Sequence, residues 1–368
     1  MNRVEIKMAR KKPWVHVIGT GTIGEPFIYL LVEQAKELGF AAVSFHKRTP
    51  LIEEVGKAKE MVRAGAIFAA DEDKIPQFKE LGLEPVLTHQ EAREKADVII
   101  DCTPAGNRNK EEYYLELSKK YPQKGFVAQG SEEDFGVPYV WTVNDAALSG
   151  RFIQTVSCNT HQLVCPINTL VIKHEGIENL KSGKFFIARR GSDISEDKLN
   201  PGVEAEPFKT KYKEHGAHQG YDAARVFKTL FPDKLHIPIH SQIIKVPTQY
   251  MHTMLFDIEV KSPVHYQEAL ARLESNPLIV FTHLKSSNRV FDRARNASKV
   301  RGRILNQTVF YKPSLDVSED GTHIRGTCFT PQDGNALLSS VAAALWLLDP
   351  ATYKEKMKVF DKFLFTEV

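Results

Sequence analysis

The sequence predicts a two-part α/β protein, a doubly wound parallel sheet followed by an α+β domain. Three observations carry that expectation. Strand-like and helix-like stretches alternate with short connections over the first part of the chain, and a glycine-spaced turn follows the first strand-like stretch. Beyond about residue 151 the texture changes to one strand-like run after another with few helices between them. A chain of 368 residues has room for about two domains of ~100–200 residues each, with a sizeable core and a cleft between them.

In order, "WVHVIG" reads as a strand, "TIGEPFIYLLVEQAKEL" as a helix, "AAVSFHKR" as a strand and "LIEEVGKAKEMVRA" as a helix. "AIFAA", "ADVIIDCTP" and "GFVAQG" continue the strands, with a helix near "NKEEYYLELSKKY". In the second part "KFFIARRG", "IIKVPTQYMHTMLFDIEVK", "LIVFTHL", "RILNQTVFY" and "THIRGTCFT" read as strands, chiefly antiparallel, and "SPVHYQEALARLES" and "DGNALLSSVAAALWLL" as helices. Residues 192–222 are polar with Gly and Pro and read as one long functional loop. The expected boundaries are a basic extension 1–12, a first domain 13–156, a second domain 157–333 and C-terminal helices 334–368 that pack back on the first domain.

Composition excludes several classes. With 42% hydrophobic and 26% charged residues the chain is not a disordered one, and no apolar run approaches the ~18 residues of a membrane span. The net charge of +3 comes from scattered Lys and Arg, which argues against nucleic acid as a partner. "MNRVEIKMARKKPW" is basic but no apolar stretch follows it, so the expected compartment is the cytoplasm. Cys102, Cys158, Cys165 and Cys328 show neither CxxC pairing nor metal spacing, so no disulfide framework and no metal site is expected.

"VHVIGTGTIGEPF" places Gly19, Gly21 and Gly24 as G-x-G-x-x-G, with Thr22 and Ile23 between, after an apolar strand and before an apolar-periodic helix. The first glycine allows the tight turn, the second lets the backbone approach a pyrophosphate, and the third lets helix and strand pack closely. This is a dinucleotide turn of the Rossmann type. The next strand ends in His46, Lys47, Arg48 and Thr49 where an NAD site has a carboxylate, and two cations with a hydroxyl favour the 2′-phosphate of NADP over NAD. Thr103, Pro104 and Gly106 in "VIIDCTPAGN" lie at the carboxyl edge of the sheet, where such ligands bind. Cys102 reads as core.

"SCNTHQL" puts Cys158 where a helix could open, so the dipole and the free N–H groups would lower its pKa into a reactive range. Cys165, inside an apolar run, does not share that position. With a dinucleotide turn upstream, Cys158 reads as a nucleophile rather than a core residue.

"GTGTIG", "DCTPAG", "SCNT", "ARRGSD", "HQGYD" and "KVPTQYMH", in this order, resemble the archaeal-type (type II) glyceraldehyde-3-phosphate dehydrogenases over most of the chain. The resemblance implies a Rossmann domain, a glyceraldehyde-3-phosphate dehydrogenase-like catalytic domain, a homotetramer and a covalent thioester mechanism with NADP or NAD. It makes Cys158 the nucleophile, Asn159 its neighbour in the pocket and His252 the general base, with His218 the nearest rival. Arg189 and Arg190 supply the fork that grips a phosphate, one of them open to a structural role instead. The family's "HHG" stands here as His218, Gln219 and Gly220, and Gln332 is the counterpart of a glutamine facing the nicotinamide amide. Where the family has "SCNTTGL", His161 and Gln162 are expected to narrow the pocket behind the nucleophile, and Pro166 to bend or restart the helix.

The implied partners are a small phosphorylated aldehyde and inorganic phosphate. Two other readings stand beside this one: a semialdehyde or acyl-phosphate reductase of the same architecture, and a dinucleotide-binding regulatory protein without turnover.

Overall fold

The computed structural model describes residues 12–207, 209–331 and 333–368. Residues 1–11 of the basic extension 1–12, and Gln332, lie outside the described residues.

Eight strands, all paired in parallel, form the first sheet: β1 (Trp14–Ile18), β2 (Ala42–His46), β3 (Ile67–Ala70), β4 (Leu87–Thr88), β5 (Val98–Asp101), β6 (Gly125–Gln129), β7 (Val137–Tyr139) and β8 (Phe152–Thr155). Their spatial order is β4-β3-β2-β1-β5-β6-β8-β7. The chain therefore turns outward from β1 to β4 and then crosses to β5 on the other side of β1. That reversal leaves a crevice at the carboxyl ends of β1 and β5, where ligands of doubly wound sheets sit. Six of the strands, β1, β2, β3, β5, β6 and β8, are buried on both faces, as parallel strands flanked by helices are, and so read as apolar runs, whereas the edge strands β4 and β7 are only partly covered.

The second sheet comprises β9 (Leu180–Arg190), β10 (Glu204–Ala205), β11 (Ile239–Val246), β12 (His252–Val260), β13 (Ile279–Thr282), β14 (Thr308–Tyr311), β15 (Asp316–Val317) and β16 (His323–Thr330). It runs β10-β11-β9-β12-β16-β14-β13, with β15 beside β16. β12 pairs antiparallel with both β9 and β16, whereas β11 runs parallel to β9 and β13 to β14, so the sheet is mixed. The run "IIKVPTQYMHTMLFDIEVK" is two strands rather than one. It breaks at Pro247, which lacks the N–H a ladder needs, and its halves flank β9 on opposite sides.

One face of the second sheet is covered by the helices Cys158–Ile167 and His218–Leu230, with Leu163, Val164, Ala223 and Phe227 packed on Ile187, Met254 and Phe256 in a shared core. The segment 192–222 is less loop-like than its composition indicates. It contains β10 and a short turn at Thr210–Tyr212, and its last residues open the His218–Leu230 helix. Pro166 ends the regular part of the cysteine helix, and the chain continues through a wider turn at Asn168–Ile172. The helix Leu337–Leu348 returns to the first core, where Leu337, Val341 and Leu345 join Val15, Val98 and Val127. Among the described residues no helix is long and apolar enough to cross a membrane.

Candidate active site

β1 ends at Ile18 and the chain turns at Gly19, whose φ of +93° is open to glycine and costly for other residues. A Cβ on Gly24 would stand 2.0 Å from the Gly19 carbonyl oxygen, so the turn closes only because position 24 has no side chain. A Cβ on Gly21 would meet nothing within 4 Å, which leaves its backbone bare toward open space. This is the cradle a pyrophosphate needs, and the residues fit a dinucleotide.

Gly19, Lys47, Arg48, Thr49, Thr103 and Pro104 line one groove of about 820 Å³. Asp101, fully buried, braces two of its lining residues, Thr103 and Asn109. One carboxylate oxygen accepts from the backbone N–H (2.9 Å) and hydroxyl (2.6 Å) of Thr103, the other from Asn109 and Tyr114. Gly106 opens the turn that follows, where a Cβ would come within 3.0 Å of the Ala128 Cβ. Thr22 points elsewhere: its hydroxyl donates to Asp193 at 2.9 Å, tying the turn to the segment after β9. Ile23 packs against the first core.

Lys47 is buried and held by Glu54 at 3.1 Å, so of the cations after β2 it is Arg48 that stands exposed at the rim, beside Thr49. A carboxylate that the sequence pattern does not assign to the groove also lines it. Asp71, just past β3, lies 3.3 Å from His46 Nε2 and 3.2 Å from His89 Nδ1. The two rings stack 3.6 Å apart and nearly parallel, so they meet the carboxylate side by side and hold it below the usual carboxylate range. Burial pushes His89 down to about 4.

β8 ends at Thr155 on the same carboxyl edge, and three residues later the cysteine helix begins. Ser157 caps it, its hydroxyl accepting from the Thr160 N–H, which leaves Cys158 as the first helical residue. The thiol is half-buried. Its pKa is raised to about 11 rather than lowered, because burial outweighs the Arg190 and Arg189 charges and the Asn159 N–H that favour the thiolate. Asn335 reaches the Cys158 carbonyl at 2.8 Å, and Asn159 accepts from the Thr330 hydroxyl at 3.2 Å. Thr330 is the register partner of His252 across β12 and β16, so the ladder brings the start of β12 next to the strand that bonds the cysteine helix. His252 is 2% exposed, and its Nδ1 accepts the Arg190 backbone N–H at 2.8 Å.

The adjacent arginines differ. Arg190 is buried: Nε and Nη2 bond Asp193, Nη2 reaches Asp333 at 3.2 Å, and Nη1 donates to the carbonyls of Gln249 and Tyr250. Arg189 has 41% of its side chain exposed and touches Glu206 at 3.3 Å. His218, at the start of its helix, lies near Arg189 and Glu206, and burial first, then the Arg189 charge, lower it to about 4. His218 and Glu206 line a second cavity of about 510 Å³ between β11 and the segment 205–217. Gln219 is buried, with no hydrogen-bond partner for its Oε1 among the described residues. Gly220 donates its N–H to Ser241 Oγ at 2.9 Å, and a Cβ there would come within 2.6 Å of the His215 carbonyl, so its place is set by close packing.

His161 and Gln162 lie behind the nucleophile, fully buried, and do not narrow the pocket. His161 bridges the Ser157 carbonyl (3.0 Å) and Ser339 of the C-terminal helix (2.8 Å), while Gln162 bonds Thr308 and Thr330. Asp193, Glu206, Asp333 and Asn335 join the site without having been legible as members of it. Asp193 alone carried a signal, standing three residues after Arg190 in "ARRGSD".

No family model matches the chain. Among curated proteins it is 29% identical over 320 residues to the glyceraldehyde-3-phosphate dehydrogenase of Pyrobaculum calidifontis, covering 85% of this chain and 84% of that one. It is 29% identical over 255 residues to that of Hyperthermus butylicus, covering 66% and 68%. It is 25% identical over 357 residues to that of Pyrococcus furiosus, covering 95% and 98%. The resemblance to the archaeal-type family thus runs along most of the chain.

Proposed function

We propose that this chain oxidises glyceraldehyde 3-phosphate to 1,3-bisphosphoglycerate, reversibly, with NADP or NAD and inorganic phosphate, through a thioester on Cys158. What supports the reading is a cysteine that opens a capped helix on the sheet edge that also carries the glycine turn, within the field of two arginines, in a helix whose Asn159 bonds Thr330, the register partner of the buried His252. The dinucleotide, when bound, supplies the hydride acceptor. Gly19, Gly21 and Gly24 would hold its pyrophosphate, Thr103 and Pro104 the middle of the groove, and Arg48 with Thr49 a 2′-phosphate.

Cys158, once ionised, forms the bond to the aldehyde carbon, and its backbone N–H and His252 face the oxygen that gains charge. Asn159, held by Thr330, shapes the pocket beside the sulfur. Arg189 takes the substrate phosphate, because its guanidinium is half-exposed where that of Arg190 is fully engaged. His218 and Gln219 stand next to it at a helix N-terminus and complete that pocket. The proposed assembly is a homotetramer in the cytoplasm. Phe186 and Leu255, 38% and 48% exposed on the outer face of the second sheet, suit self-association and make light scattering its check.

The test is an aldehyde panel with and without inorganic phosphate. Turnover of glyceraldehyde 3-phosphate that requires phosphate supports the reading; turnover of an amino-acid semialdehyde alone favours a reductase of the same architecture. Cys158→Ser should lose turnover roughly 10⁴-fold or more while dinucleotide affinity stays within about twofold.

A further inference from the structure

We propose that Glu214, His215 and His236 form a binding site for a divalent cation of the zinc class, outside the dinucleotide groove. One donor atom from each of the three side chains lies within 4.8 Å of the other two. Glu214 Oε2 stands 3.3 Å from His236 Nδ1. Two ligands on neighbouring corners of a tetrahedral zinc site, each ~2.0–2.1 Å from the ion, are about 3.3–3.4 Å apart, so this edge already has the spacing of a coordination shell. The rings of His215 and His236 lie with their centres 5.7 Å apart and their planes 12° from parallel. Imidazoles that share one zinc hold their centres about 5–6 Å apart, a separation this pair meets.

The tautomer of His215 is set for ligation. Its Nδ1 lies 2.8 Å from the Ile239 carbonyl, which can only accept, so in the neutral ring Nδ1 carries the proton and the Nε2 lone pair is left to ligate. A carbonyl that holds the far N–H of an imidazole is the support zinc-binding histidines have. The main chain is fixed as well, because the Ser241 N–H donates to the His215 carbonyl at 3.0 Å. On the other side Lys228 Nζ donates to the Lys234 carbonyl at 2.7 Å and so holds the turn that carries His236.

Two ring nitrogens and one carboxylate suit zinc, whereas calcium and magnesium take shells of oxygen. The Glu214 and His236 side chains are 72% and 50% exposed, so water can reach the fourth position. His46, Asp71 and His89 cluster too, but the rings of that trio stack with centres 3.6 Å apart, too close for the two to share an ion. The site joins two segments: Glu214 and His215 precede the helix His218–Leu230, and His236 follows it on the way to β11. A bound ion would therefore tie the entrance of that helix to its exit and restrain the chain between them.

The experiment titrates the full-length, untagged protein with zinc chloride against a chromophoric chelator, and records the absorption spectrum with cobalt(II) in place of zinc. One zinc per chain with a Kd of about 1 μM or tighter is expected, and a melting temperature that rises with zinc concentration. Cobalt should give the bands of a tetrahedral nitrogen–oxygen site without sulfur-to-metal charge transfer, which excludes Cys158 as a ligand. His236→Ala should weaken zinc at least about 100-fold and Glu214→Gln at least about tenfold, and neither substitution touches the core. Magnesium in large excess should not compete. Unchanged zinc affinity in His236→Ala overturns the proposal, as does a thiolate charge-transfer band. A wild-type Kd weaker than about 100 μM also overturns it and leaves Glu214 and His236 as a surface ion pair. None of these readouts involves turnover, so they stand or fall apart from the dehydrogenase reading.

Discussion

The dinucleotide groove and the cysteine corner lie on one sheet edge but are assembled in opposite ways. At the groove the backbone makes the surface: three glycines within six residues set a turn, and what matters is the absence of side chains. At the cysteine corner side chains make it, drawn from β9, β12, β16, the turn after β16 and the helix that opens at Cys158, so the contributing residues are scattered from Cys158 to Asn335 along the chain. The contrast teaches where each region is fragile. A groove of bare backbone fails when a methyl group is added, whereas a corner of interlocked charges fails when one partner is removed.

The largest expected effect is therefore at Arg190. Arg190→Met strips the guanidinium from Asp193, Asp333 and two carbonyls in a buried site, and should cost about 3–5 kcal/mol by denaturant unfolding. A loss under about 1 kcal/mol would break the contrast, because the corner would then be no more dependent on its charges than a surface pair is.

Next comes the pH dependence of His161. Its folded pKa of about 4 lies below the ordinary 6.5, through burial, so its contribution is fully present above pH 6.5 and is lost as pH falls from there toward 4. The linked free energy is about 3 kcal/mol. His161→Gln should flatten melting temperature against pH over that window and leave the region above it unaffected in slope. Gly24→Ala is the groove's counterpart. A Cβ 2.0 Å from the Gly19 carbonyl should force the turn open, costing about 1–3 kcal/mol and weakening dinucleotide binding measured by fluorescence.

The same contrast explains what the sequence revealed. The parallel strands were legible because each is a short apolar run between turns, and the glycine turn because its whole chemistry lies within six consecutive residues. Cys158 was legible by position, but its raised pKa was not, since that depends on how deeply the thiol is packed. Asp71 escaped notice because it follows β3, although it lines the groove where a carboxylate is sought at the end of β2. Asp333 and Asn335 are polar residues in an unremarkable turn; only the crossing of distant segments at Arg190 and the Cys158 carbonyl gives them a place. His161 and Gln162 read as intruders into the pocket because a helix written as letters does not show which side faces the core.

Arg189 sharpens the comparison from the other end, with the smallest expected effect on stability and a specific one on binding. Its contact with Glu206 is half in solvent, so Arg189→Ala should change unfolding free energy by less than about 1 kcal/mol. The guanidinium that is spare for folding is then the one available to a ligand. If it holds the substrate phosphate, KM for glyceraldehyde 3-phosphate should rise at least about tenfold, while KM for unphosphorylated glyceraldehyde barely moves. Arg189→Lys should restore part of the loss, since an ammonium keeps the charge but not the two-pronged geometry. Equal loss with both aldehydes would show that Arg189 shapes the cleft as a whole, and the division of labour between these neighbours would fail.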